Sequence, residues 1–154
     1  MAKTEDKGLE TLQVWQMAMN FAVKVCRQVL SVLPTQEKWS LIDQLQRSVQ
    51  SIPANSAEGY GRYYYLESIR FCYIARGSLE ETFSHITLAH RLNYLGDEVF
   101  QSLKREIQEI RRMLNGYISF LKTSKRGATE PGTTIVIHDE PAPYHTEEFS
   151  EPES

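Results

Sequence analysis

The chain has 154 residues, 41% hydrophobic and 24% charged, the proportions of a soluble globular domain large enough to build its core without disulfides or a structural metal. No run approaches the roughly 20 apolar residues of a membrane span, residues 1–8 hold no apolar signal-peptide core, and Cys26 and Cys72 stand alone in apolar patterns, which argues against a disulfide framework or a zinc site. The net charge of −3 divides unevenly: residues 124–154 carry two bases and seven acids, while the preceding residues carry an excess of two bases.

Across residues 11–33, Leu12, Trp15, Ala18, Met19, Ala22, Val25, Cys26 and Val29 recur at three- and four-residue steps, the repeat of an amphipathic helix that Pro34 ends. Thr35 reads as the N-cap of a second helix with Trp39, Ile42, Leu45, Val49 and Ile52 on its apolar side. Pro53 falls inside that pattern. It removes one backbone hydrogen bond and crowds the preceding turn, predicting a kink over residues 49–53, with helix resuming over 54–58 and ending at Gly59 and Gly61.

A third helix is predicted over residues 64–93, carrying Ile69, Cys72, Ala75, Leu79, Phe83, Ile86, Ala89 and Leu92, with Gly96 as its stop. Asp97 then caps a fourth over residues 98–123, with Leu103, Ile107, Ile110, Leu114, Tyr117, Ile118 and Leu121 on one stripe. The expected fold is all-α: an antiparallel up-and-down four-helix bundle with a kinked second helix over residues 11–123, preceded by an N-terminal extension, 1–10. Residues 124–154 turn to Gly, Pro, Thr and acid, the composition of an irregular acidic tail. Within it the run TTIVIH, 133–138, reads either as a terminus without a core or as a strand that pairs with a sheet edge on another protein.

Several motifs are denser than a generic bundle requires. Residues 44–48 read QLQRS, 51–62 read SIPANSAEGYGR, and Phe71, Ala75, the GSLEE of 77–81 and the RLNYL of 91–95 follow, with Val14-Trp15 near the start. This combination resembles the bacterial four-helix bundle family first associated with intervening sequences in large-subunit ribosomal RNA genes, over about residues 9–123. A related bundle is the accessory protein of reverse transcriptases in diversity-generating retroelements. The resemblance implies a homo-oligomer, a pentameric barrel of bundles, that binds nucleic acid or a nucleic-acid enzyme and has no enzymatic activity. Two features depart from the family pattern: Ser56 stands where an apolar residue is usual, weakening the packing beside the kink, and the acidic tail lies outside the match.

Arg47, Asn55, Glu58, Arg62 and Glu81 lie beside the apolar stripes. As unpaired buried charge is costly, they are expected to form a hydrogen-bonded cluster fixing the second helix against the third, so that Glu58→Ala destabilises the fold. The alternative is a ligand or partner site at the bundle end near residues 55–62. Gly77 in mid-helix costs about 1 kcal/mol relative to alanine, which close approach of another helix at Gly77 and Ser78 would offset. On the fourth helix Lys104, Arg105, Gln108, Arg111 and Arg112 share an arc opposite the apolar stripe, either a solvated face edged by Glu106 and Glu109 or, with Arg62, a surface for phosphates. Tyr60, Tyr63, Tyr64 and Tyr65 beside Arg62 offer rings to stack on bases or to fill a subunit interface.

Catalytic constellations are poor. There is no Glu-x-x-His pair for a di-iron site, no P-loop and no GxSxG elbow, and Glu81 and His85 are spaced as an ordinary helical pair. The reading is therefore a cytoplasmic, non-enzymatic homo-oligomer without metal or cofactor, binding RNA, DNA or a reverse transcriptase or other nucleic-acid enzyme through basic helix faces. Its alternative is a protein-recruiting module acting through the tail.

Overall fold

The computed structural model describes residues 8–129. The 133–138 run and most of the acidic tail lie outside the described residues. Four helices account for the body: α1 (Gln13–Lys24), α2 (Leu41–Tyr60), α3 (Tyr65–Arg91) and α4 (Asp97–Ser124). A π-helical turn, Val25–Val29, and a 3-10 turn, Leu30–Val32, prolong α1, and further 3-10 turns occupy Leu9–Thr11 and Thr35–Glu37. Each helix packs on the next and α4 returns to α1, closing an up-and-down four-helix bundle with no strand among the described residues.

The core is continuous through the four helices. Phe21, Leu45, Ile52, Leu79, Ile86, Leu103, Ile107, Ile110 and Leu114 are fully buried, each contributing about 1.5–3 kcal/mol by leaving water. A smaller cluster of Ile69, Cys72, Ile118 and Leu121 closes the end near the α2–α3 turn, with Tyr65, Tyr73 and Tyr117 packed on it. None of the described helices is long and apolar enough to cross a membrane.

Local details differ from the sequence expectations for identifiable reasons. The buried face of α1 is Val14, Ala18, Phe21 and Ala22, so Trp15 is half-buried and Met19 exposed. Apolar residues on two neighbouring lines of this helix leave its rotation open until α2 and α4 are in place. Trp39 is 83% exposed, because Thr35–Glu37 forms a separate 3-10 turn and α2 begins only at Leu41; the Lys38 ammonium lies 4.9 Å from the centre of its ring. α2 runs unbroken through Pro53. Beside the proline, the buried Ser56 hydroxyl donates to the Ile52 carbonyl at 2.9 Å, so the polar residue at this unusual position is satisfied.

The close approach expected at Gly77 occurs instead at Gly59. A β-carbon at Gly59 would lie 2.9 Å from the Ser68 carbonyl oxygen and 3.2 Å from Phe71 Cβ, so α2 and α3 meet there at glycine distance. Gly59 therefore lies inside the helix as a packing residue, and Gly61 follows its end. Gly77 is exposed, and among the described residues nothing beyond its chain neighbours and its own helix backbone lies within 4 Å of its would-be β-carbon.

Further along the same seam, short polar side chains replace a bulky apolar contact. The buried Thr82 hydroxyl donates to Ser48 Oγ across 3.0 Å, Ser51 and Ser78 share a 2.8 Å hydrogen bond, and Asn55 Nδ2 donates to Ser51 Oγ at 2.8 Å. Ser78, predicted to help two backbones meet, contributes this hydrogen bond to α2. Among the described residues no buried side-chain nitrogen or oxygen lacks a hydrogen-bond partner.

Candidate nucleic-acid interface

At about 100° per residue, Lys104, Arg111 and Lys122 fall within about 20° of one another around α4 and span roughly 27 Å of its length. The neighbouring helix defines which way this line faces. The Arg111 guanidinium grips Glu80 of α3 with two hydrogen bonds of 2.5 and 3.0 Å, which pushes its pKa above the usual arginine range. From α3, Arg76 donates to Asn115 Oδ1 at 3.0 Å and stacks over Tyr73 at 4.9 Å, and Lys122 reaches the same ring at 5.9 Å. A line of cations thus follows the α3–α4 groove, interrupted by the single carboxylate of Glu80.

Arg105 and Arg112 lie on the adjacent outer arc. Arg112 pairs with Glu109 on its own helix, and that hydrogen bond raises its pKa and lowers the carboxylate's. Glu106 is turned away from the arc, joined to Lys24 of α1. Among the described residues, Lys104, half-buried, and Arg105, exposed, have no ion pair, hydrogen bond or ring contact. Of the five predicted nucleic-acid contacts, Arg111 and Arg112 are thus held by carboxylates and Lys104 and Arg105 are unengaged.

Arg62, the fifth, lies at the bundle end. It pairs with Glu58 at 2.5 Å, and its guanidinium sits 4.9 Å over the Phe71 ring. Here α4 stops with Lys125 in a left-handed conformation (φ 46°), and the chain turns back so that the Arg126 carbonyl accepts a 2.9 Å hydrogen bond from Tyr65 N–H. Gly127 at φ 77° fits closely against Tyr63 and Tyr64, where a β-carbon would come within 3.2 Å of the Tyr64 Cα. This return brings the Arg126 guanidinium 4.8 Å over the Tyr63 ring and leaves a cavity of about 280 Å³ among Tyr60, Tyr63, Tyr65, Tyr117, Phe120 and Arg126. Burial pushes the Tyr117 phenol up to about 12, so it stays neutral at physiological pH.

Sequence reasoning found the tyrosines of residues 60–65 but missed Tyr117, Phe120, Lys122 and Arg126, which complete this end. The available signal was the interleaving of aromatic and basic residues in YISFLKTSKR, 117–126, at the close of the last helix.

The interior polar cluster expected of Arg47, Asn55, Glu58 and Glu81 does not form. Arg47 pairs with Asp43, Glu58 with Arg62 and Glu81 with His85, each four residues apart on its own helix and largely exposed; only Asn55 joins the α2–α3 seam. Long charged side chains reach water from positions flanking an apolar stripe, so adjacency to the stripe does not bury them. Among the described residues no group of three His, Cys, Asp or Glu side chains could hold a metal ion. The Cys72 thiol is pushed to about 11 by burial, and that of Cys26 is raised for the same reason, leaving both protonated and weakly nucleophilic.

The fold and surface define a four-helix bundle whose polar features are a hydroxyl seam, a cation line and an aromatic end. Residues 10–116 match the family described as 23S rRNA-intervening sequence protein, and the chain belongs to that family. It is also similar to a protein of unknown function from the S23 ribosomal protein family of Bacteroides thetaiotaomicron, with 26% identity and a TM-score of 0.63 over 68% of this chain and 97% of that one. No curated protein matches the sequence.

Proposed function

We propose that this chain is a non-enzymatic, cytoplasmic scaffold that assembles with copies of itself, as a pentamer on the family resemblance, and binds RNA or DNA through its basic faces. The observation that carries this reading is the cation line of Lys104, Arg111, Arg76 and Lys122 along the α3–α4 groove, in which Arg111 and Lys122 meet α3 partners and Arg76 meets Asn115 of α4. Residues 8–129 hold four more bases than acids, and phosphate contacts supply most of non-specific nucleic-acid affinity. Cyclic repetition multiplies such a line. A surface for self-association is available on the outer arc of α3, where Ile74, Leu88 and Leu92 are 43–48% exposed around the uncrowded Gly77. A nucleic-acid enzyme such as a reverse transcriptase fits the same surface as a partner already carrying its nucleic acid.

Fluorescence anisotropy of the full-length protein with short RNA and DNA over a salt series, with oligomer mass measured on the same samples, tests this. Affinity should fall steeply with salt, and Lys104→Gln with Arg105→Gln should reduce the log–log slope by about 2. Absence of binding at low salt would remove the nucleic-acid role and favour protein recruitment through the acidic tail.

A further inference from the structure

The cavity at the bundle end has a chemistry distinct from the cation line. Its aromatic lining comes from two regions distant in sequence, Tyr60, Tyr63 and Tyr65 at the α2–α3 turn and Tyr117 and Phe120 on α4, brought together by the packing of α4 on α3, while the return of the chain after Lys125 adds Arg126. Two of these rings are presented to the outside, Tyr63 at 52% and Phe120 at 63% exposure, while Tyr117 and Tyr65 pack on the small apolar cluster beneath. Such exposure of large rings beside a cavity is unfavourable in water unless something covers them. Among the described residues, the charged side chains lining the cavity are Arg62 and Arg126, with no carboxylate beside them.

We propose that this cavity takes one unstacked nucleotide, its base against the Phe120 and Tyr63 rings and its phosphate at Arg126. Aromatic rings stack on any base, because every base has a π-face, and a guanidinium at the rim supplies the complementary charge. A volume of about 280 Å³ is on the scale of one nucleotide, and a base inside a duplex has both faces covered by its neighbours and cannot stack on these rings. The nucleotide is either free or the end of a single strand, two sources with the same chemistry. The second case rests on the proposed nucleic-acid role, with the groove holding the backbone and the bundle end holding the terminal base; the first does not.

The fluorescent base 2-aminopurine distinguishes them in the full-length protein. Three probes are titrated: the 2-aminopurine ribonucleoside monophosphate, a short single-stranded RNA with 2-aminopurine at one end, and the same RNA with the base inside a duplex. The expected result is quenching of the single-stranded end, or of the monophosphate and the end alike, but not of the duplexed base. Phe120→Leu, which keeps an apolar side chain at an exposed position, and Arg126→Gln should each weaken the quenching titration about tenfold without shifting the melting temperature. If anisotropy reports strand binding while no probe is quenched, the pocket assignment fails and the groove reading stands. Failure of both signals overturns both; quenching of the monophosphate without strand binding keeps the pocket and removes the groove. An altered oligomer mass in Phe120→Leu with quenching intact would show that a second copy covers the rings, against this proposal.

Discussion

The α2–α3 seam and the outer arc of α4 are both built from polar side chains but use them in opposite ways. In the seam, Ser48, Ser51, Ser78 and Thr82 find partners across the helix boundary, and Gly59 lets the backbones close. Short hydroxyl side chains lose little rotamer entropy and carry no charge to desolvate, so they serve as interior joints. On α4 the polar residues are long and ionised: Arg111 is engaged by α3, Arg112 by its own helix, and Lys104 and Arg105 by none of the described residues. The role of a polar residue therefore follows from its length and from what stands opposite it.

The hardest test of the seam is Gly59→Leu. The new side chain would press on the Ser68 carbonyl, which is backbone and cannot swing aside. Overpacking of this kind costs about 1–3 kcal/mol or more, a fall in melting temperature of roughly 5–10 °C for a domain of this size. A melt equal to the parent's would show that α2 and α3 do not meet this closely. Gly77→Leu is the matched control, expected to stabilise the single chain by about 0.5–1 kcal/mol because leucine is the better helix former at this uncrowded position; if it dissociates the oligomer instead, the outer arc of α3 is the contact between copies.

Smaller, but specific to the hydroxyls, is Thr82→Val. It keeps the shape and removes the donor to Ser48, whose own hydroxyl still donates to the Leu45 carbonyl at 3.1 Å. The expected loss is about 1 kcal/mol by chemical denaturation. Ser48→Ala added to it should cost less than the two singles summed, because the pair shares one hydrogen bond. Strict additivity would mean that the contact between them contributes nothing.

These interior joints also mark where sequence reading stopped. Helix number, order and approximate bounds were legible, because apolar spacing and the stops at Pro34 and Gly96 are local signals. The rotation of α1 was not, since Val14 and Phe21 lie on a line next to the predicted one and only packing on neighbours selects between them. Charged residues beside a stripe looked buried, yet Arg47 and Glu81 snorkel to water, while the modest Ser48 and Thr82 went unread. The aromatic end was half legible: its two parts lie more than fifty residues apart, and only the packing of α4 on α3 and the turn at Lys125 complete it.

On the charged side of the comparison, Arg111→Gln should cost about 0.2–1 kcal/mol, as its two hydrogen bonds to Glu80 cross between helices at a partly exposed site. Lys104→Gln should leave stability unchanged while lowering the salt dependence of nucleic-acid binding. Equal melting of the two variants would mean that Glu80 does not anchor the cation line.

The smallest loss from breaking an ion pair is expected from Glu58→Ala, the substitution for which the sequence alone predicts a damaged fold. Glu58 is about half exposed, and its partner Arg62 lies one turn away on the surface, so losing the pair should cost at most about 0.5 kcal/mol. Arg62 keeps its seat over Phe71 and is released from the carboxylate that holds it among the described residues. The bundle end then gains one unit of positive charge without a change of shape. Strand binding at low salt should strengthen slightly and its salt dependence should steepen, an effect readable by anisotropy even where calorimetry shows none. A melting temperature several degrees lower would instead restore Glu58 to the interior; unchanged binding with unchanged melting would remove Arg62 from the interface and leave the groove and Arg126 to carry it.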